Sequence, residues 1–238
     1  MISKQTVALG FLSISMIVCA GTQVHSDDLW GTERPPHLYA VPDVEPVGWS
    51  RDGHFAYSLS RTLEGIGGTR YEYRIVNAVT DEEAFFERYD ETFEEPDTES
   101  GEGVRDLAAV ERRFTDALGR FGIVPDRGTA FRRFPLDTDH GIYDVEIESE
   151  RARIETTPMD YIDSWEVRVV RRTATGGTTR KRITGGAEIR AASLTPLGAF
   201  VSPYEARMLV VVGREAYVFE GTEGFLVTSG AHLTYGYE

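Results

Sequence analysis

Only one stretch of this chain repeats its apolar residues at the spacing of a helix, and almost everything around it alternates like a strand. Leu107, Val110, Phe114, Leu118 and Phe121 recur at steps of three and four, with Ala117 on the same stripe. Arg112, Arg113, Asp116 and Arg120 fall mostly on the opposite face. Asp106 or a residue just before it is suited to cap the start. Gly122 is placed to end the helix in a left-handed conformation, and Pro125 prevents its resumption. The pattern predicts a helix over about 106–121 that lays this stripe on a sheet, and such a stripe is a core-facing surface rather than a cofactor box.

The strand signals begin at Val47. His54–Leu59 and Tyr71–Val76 alternate or run apolar, and Gly65-Ile66-Gly67-Gly68 separates them as the turn of an antiparallel pair. Residues 81–103 are densely acidic; Ala84-Phe85-Phe86 suits a short strand, and the rest, through Ser100–Gly103, reads as a solvated loop. After Pro135 come Tyr143–Ile147, Trp165–Val169, a Thr173–Ile183 hairpin with a basic rim, Ala199–Val201, Met208–Val212, Ala216–Phe219 and Phe225–Val227. Met208–Val212 is apolar enough to be buried on both faces. The expected class is therefore mainly β, of antiparallel sheets with one inserted amphipathic helix, forming a single domain over 47–238.

The first 26 residues read as a secretory signal peptide. Lys4 supplies a positive start, and Thr6–Val18 is an apolar run too short for a membrane span. Two small-residue cleavage sites follow, Val18-Cys19-Ala20 before Gly21 and Val24-His25-Ser26 before Asp27. Export to the periplasm or the exterior is expected. Residues 27–46, with Pro35, Pro36, Pro42 and Pro46, read as an extended lead-in. A minority reading makes Cys19 the acylated residue of a lipoprotein, with Ala20–Pro36 as a polar tether; bulky Val18 directly before it argues against that.

Beyond the leader, about 210 residues remain, enough for one sizeable core or two small ones, and no second long apolar run is present. Cys19 is the only cysteine, so the mature chain has no disulfide, no thiol nucleophile and no thiolate metal site. The 39 acidic side chains against 25 basic ones give a formal charge of −14, which disfavours nucleic acid and anionic membranes as partners. Lys4 and Lys181 are the only lysines, a bias that fits a GC-rich genome, while the acidic surface suits an exported protein in a salty or alkaline medium.

The best local motif is Val47-Gly-Trp-Ser-Arg-Asp-Gly-His-Phe-Ala-Tyr57. Asp52-Gly53 is tight-turn chemistry, since Gly53 accepts positive φ and the Asp52 side chain bonds nearby backbone N–H groups, while Trp49 anchors the hairpin against Phe55 or Tyr57. The stretch resembles the W-S-x-D-G-x-x-A-Y repeat of β-propellers in bacterial periplasmic translocation proteins. A degraded second copy is Val201-Ser-Pro-Tyr-Glu-Ala-Arg-Met-Leu-Val210. The two copies lie about 150 residues apart, too far for the blades of a closed propeller. With Arg120-Phe-Gly-Ile-Val-Pro125 closing the helix, the set is similar to a group of predicted secreted bacterial proteins of unknown function, some from spirochaetes. That resemblance implies export and a shared fold and carries over no catalytic residue.

The chemical candidates are thin. Asp137, Asp139, Gly141, Asp144 and Glu148 faintly echo a calcium loop, but the glycine is one place early and Ile142–Ile147 favours a strand. His37, His54, His140 and His232 show no zinc spacing. Ser229 and His232 are near in sequence, which is not triad geometry, and no G-x-S-x-G occurs. Gly65–Gly68 has no helix after it and is not a phosphate loop. No catalytic, cofactor or metal residue is therefore assigned. The expected function is a non-enzymatic exported binding or interaction protein whose partner is an envelope protein or ligand. The alternative is an exported hydrolase acting on a cell-envelope polymer through two carboxylates, which leave no motif. A concave site with converging, water-shielded carboxylates would favour the enzyme.

Overall fold

In the computed structural model the described residues are 23–30, 38–63, 67–92, 106–153, 160–173, 175–218 and 221–238. Strand β2 (Asp43–Trp49) turns through Asp52-Gly53 into β3 (His54–Thr62), followed by β4 (Gly68–Asn77) and β5 (Glu83–Thr92). The two-residue β6 (Val124–Pro125) pairs with the outer edge of β2, so the first sheet runs β5-β4-β3-β2-β6. Alternation sends Phe55, Tyr57 and Leu59 to one face of β3 and Ala56 to the other. A register shift between Pro46 and Gly48 resets the pattern in β2: Val47 and Trp49, two residues apart, lie in cores on opposite sides of the sheet.

Helix α2 (Leu107–Arg120) begins where the stripe places it. The Asp106 side chain accepts from Ala108 N, and Gly122, just past the end, has φ 62°. Val110, Phe114 and Ala117 are its buried residues. Phe114 meets Tyr73 and Phe85 with ring centroids 5.1 and 5.8 Å apart, in a core shared with Val47, Ala56 and Ile75. Leu118 and Phe121 pack at the margin of that core.

The second sheet has eight strands: β1 (Leu38–Ala40), β13 (Gly221–His232), β12 (Arg207–Val218), β11 (Thr178–Val201), β10 (Asp160–Arg172), β9 (Gly141–Arg153) and β8 (Leu136–Thr138) in order, with β7 (Phe131–Arg132) also pairing to β11. Strand β11 is its spine. Residues 178–191 pair with β10 and residues 191–201 with β12, with register shifts between Ala191 and Ser193 and between Pro196 and Gly198. Leu197, Phe200, Leu209 and Val211 face the first sheet, while their neighbours Ala199, Met208, Val210 and Val212 face away and join Tyr143, Val145, Val167 and Val169 of β9 and β10. The β8–β10 end therefore curls over the back of β12, as sheets do when one strand passes from layer to layer through a bend. Tyr143 OH donates to Leu233 O at 2.6 Å and fastens the curl. The layers are thus helix, small sheet, middle strands and curled strands, with an apolar core in each gap.

At the centre of the middle core Phe55 stacks on Phe200 at 4.8 Å, Trp49 lies 4.9 Å from Phe55, and Phe131 lies 5.3 Å from Phe200. The fold is mainly β, and the described residues form no closed barrel or propeller. No helix among the described residues is long and apolar enough to cross a membrane.

Three readings differ from the sequence expectation. The segment read as an extended lead-in holds helix α1 (Ser26–Trp30), β1 and the start of β2, because Leu29 and Trp30 have apolar surface to bury. The acidic stretch contains the whole of β5, in which exposed Phe86 and Arg88 alternate with half-buried Phe85, Glu87 and Tyr89; its remainder, 93–103, lies outside the described residues. The Thr179–Ile183 and Ala199–Val201 runs are two ends of one strand, joined through a segment whose Thr-Gly-Gly-Ala composition hides its extended backbone, and Met208–Val212 and Ala216–Val218 likewise belong to the single strand β12.

Candidate functional site

The two motif copies meet at one end of the layers. In the β2–β3 turn, Ser50 N donates to His54 O at 2.8 Å, and His54 N donates to Ser50 Oγ at 2.9 Å. The Ser50 hydroxyl and His54 Nδ1 both bond the Asp52 carboxylate. The hydroxyl first, and the imidazole second, hold that carboxyl below its ordinary range. A triad needs the imidazole between serine and carboxylate; here the carboxylate is in the middle and Ser50 is buried, so the cluster is turn chemistry. Gly53 has φ 88° and leaves room for Val79 and Glu205, whose atoms would stand 2.9 and 3.0 Å from a Cβ there.

Glu205 belongs to the second copy, in the β11–β12 connection. Ser202 N donates to Arg207 O at 2.9 Å, Ser202 Oγ accepts from Tyr204 N at 3.2 Å, and Arg207 Nε donates to Glu205 Oε1 at 2.8 Å. Arg207 also donates to Ala78 O at 3.0 Å, and the Arg51 guanidinium lies 5.3 Å above the Tyr204 ring. The β4–β5 turn closes the group: Asp81, at φ 63°, accepts from Ser229 Oγ at 2.9 Å and from Gly230 N at 2.6 Å.

Beside this junction opens a cleft of about 530 Å³. It is lined by Tyr204 and Glu205 of the β11–β12 connection, by Arg132, Asp137, Asp139 and His140 of the β7–β9 segment, and by Val201 and Leu233. Arg132 donates to Asp137 O at 2.6 Å, and His140 O accepts from Arg171 Nε at 3.0 Å, so main-chain carbonyls fix the β7–β9 side. The side chains of Asp137, Asp139 and His140 stand in solvent. Glu205 is held by Arg207, whereas Asp137 and Asp139 make no ion pair among the described residues. The cleft therefore offers one aromatic ring, two uncommitted carboxylates, a guanidinium and an imidazole.

The remaining sequence candidates disperse. Asp137 and Asp139 line the cleft, but Asp144 bonds Val145 N and Arg172, and Glu148, farther along β9, pairs with Arg168, so neither joins them. No group of three His, Cys, Asp or Glu able to hold a metal occurs among the described residues. Ser229 serves Asp81 and Ile183 O, while His232 Nδ1 accepts from Thr234 N at 3.1 Å and its ring meets Tyr235 at 4.3 Å. Burial, then the charges of Arg207 and Lys181, lower the His232 pKa. His37 and the Gly65–Ile66 tip lie outside the described residues. Sequence reasoning missed Arg132 and Tyr204 as cleft residues; the second motif copy was the signal that contained Tyr204.

No protein-family model matches the chain, and neither a curated protein nor a solved structure does.

Proposed function

We propose that this chain is an exported, non-enzymatic binding protein of the cell envelope that takes a hydroxyl-rich ligand, such as an envelope glycan, in the cleft between Tyr204 and Asp137–His140. The observation that carries this reading is the chemistry of the cleft wall. An aromatic ring packs against the C–H face of a sugar, and solvated carboxylates accept from its hydroxyls, as sites with a few placed polar groups on an apolar base do. Tyr204 is braced by Arg51, and its loop is tied to the β4–β5 turn through Arg207, so the ring is held in place before a ligand arrives. Export rests on the Lys4 start, the apolar run to Val18 and the resemblance to secreted bacterial proteins.

Acid–base hydrolysis needs one carboxyl kept protonated by burial, and the cleft carboxylates are exposed or paired to arginine. That favours recognition over turnover. The test is calorimetric titration of the mature protein with soluble cell-wall glycan fragments, with release of reducing ends followed in the same samples. Binding that falls at least tenfold in Tyr204→Ala and Asp139→Asn, without release, is expected. Release of reducing ends at a rate that falls in Asp137→Asn or Asp139→Asn would overturn the reading in favour of a hydrolase.

A further inference from the structure

We infer that, in the exported protein, the leader is removed by hydrolysis of the Ala20–Gly21 bond and not of the Ser26–Asp27 bond, so that Val24–Trp30 is part of the mature fold. The inference rests on the export reading above. Both bonds follow a small residue with Val two places before it, and both are reachable while the chain is unfolded. They differ in what each cut leaves behind. Val24 N donates to Val44 O at 2.8 Å and Val44 N returns to Val24 O at 3.0 Å, a two-bond bridge on the edge of β2, and the Val24 side chain is buried in the core between the sheets. His25 O accepts from Asp28 N and Leu29 N, both at 2.9 Å, and so closes the first turn of α1.

That turn delivers Leu29 and Trp30 to the same core, at 0% and 5% exposure. Trp30 packs on β12, where a Cβ on Gly213 would stand 2.4 Å from its ring, and Arg133 donates to Asp28 O. Cutting after Ser26 removes the Val24 bridge and the His25 carbonyl. It also sets a charged amine on Asp27, two residues from fully buried Leu29. Cutting after Ala20 adds water across that bond, leaving a carboxylate on Ala20 and an amine on Gly21. Gly21-Thr22-Gln23 then separates the new charge from the first folded residue. The same geometry bears on Cys19: acylation there would put the folded domain four residues from the membrane, not at the end of a tether reaching Pro36.

The experiment is expression of the full chain in an exporting bacterium, followed by intact mass and N-terminal sequencing of the product. A chain starting at Gly21 is expected. A start at Asp27, or an acylated Cys19, overturns the inference while leaving export standing; an intact Met1 overturns export itself, and this inference with it. As a second measurement, chains made to start at Gly21 and at Asp27 are melted side by side. The Asp27 chain should melt lower by roughly 5 °C or more, and equal melting temperatures would overturn the structural argument.

Discussion

Gly230→Ala should separate the β4–β5 turn from the second sheet. A Cβ at position 230 would stand 1.8 Å from Ala78 O and 2.5 Å from Ala78 C. Either β13 or the turn must then retreat by roughly 1.5 Å to reach an ordinary C···O contact. The atom in the way is main chain, so no rotamer change relieves it. Strand β13 is held along its whole length by β12, whereas the turn is short, so the turn should move. Three bonds fail with it: Asp81 to Gly230 N, Asp81 to Ser229 Oγ, and Arg207 to Ala78 O.

Bonds to charged partners contribute about 1.5–3 kcal/mol when shielded, and exposed ones sit at or below the low end, so the total loss should be roughly 2–4 kcal/mol. For a chain of this length that lowers Tm by roughly 5–15 °C. The assay is urea unfolding followed by fluorescence, with Asp81→Gly and the double variant alongside. Asp81→Gly loses the carboxylate but regains about 1 kcal/mol from the left-handed backbone at φ 63°. Because both changes break the same two carboxylate bonds, the double variant should fall short of additivity by about 1 kcal/mol or more. A Gly230→Ala protein within about 0.5 kcal/mol of the parent, or strict additivity, would show that the turn is not docked on β13 and would refute the reasoning.

Phe114→Ala should cost roughly 3–5 kcal/mol in the same assay, since the ring fills the gap between α2, Tyr73 and Phe85; a loss under about 1 kcal/mol would mean the helix is not seated. Gly53→Val should cost roughly 2 kcal/mol or more from its positive φ and its contact with Val79, whereas Asp52→Asn, whose side chain is mostly exposed, should stay under about 1 kcal/mol, both read as Tm shifts. The His232 pKa is lower in the folded protein than in the unfolded chain, so its contribution is complete above the unfolded value near 6.5. As pH falls below that value the unfolded chain takes up the proton first, and stability declines until the folded imidazole also titrates. NMR titration of His232 and melts from pH 8 to 5 check this, and His232→Gln should flatten that limb of the profile.

The elements that depend on local pattern were legible in the sequence. Helix α2 was, because its stripe, its Asp106 cap and its terminating Gly122 agree with one another. The β2–β3 hairpin was, because Asp-Gly specifies its turn. Met208–Val212 could be read as buried on both faces, and its alternate residues do serve two different cores. Helix α1 was hidden because five residues carry no periodicity and neighbouring prolines suggest extended chain. The length of β11 was hidden because Thr184-Gly-Gly-Ala187 has poor strand propensity, and only pairing with Trp165 and Glu166 on β10 holds it straight.

The cleft was hidden for a different reason, and it explains why the motifs misled. The Trp49–His54 turn has the strongest local pattern in the chain because the bonds that shape it, among Ser50, Asp52 and His54, are made within five residues, and polar groups that satisfy one another locally have little left for a ligand. The cleft residues have the opposite character. Asp137, Asp139 and Tyr204 come from connections 65 or more residues apart, and they adjoin only because β11 bends and carries β8–β10 around to the end of β12. Glycines mark where such layers touch. Gly213 under Trp30 and Gly230 under Ala78 sit mid-strand, where a glycine costs strand stability unless something must approach closely. In a chain of this kind, then, the positions that break the local rules report on tertiary contacts, and the positions that obey them most fully report on the turn they build.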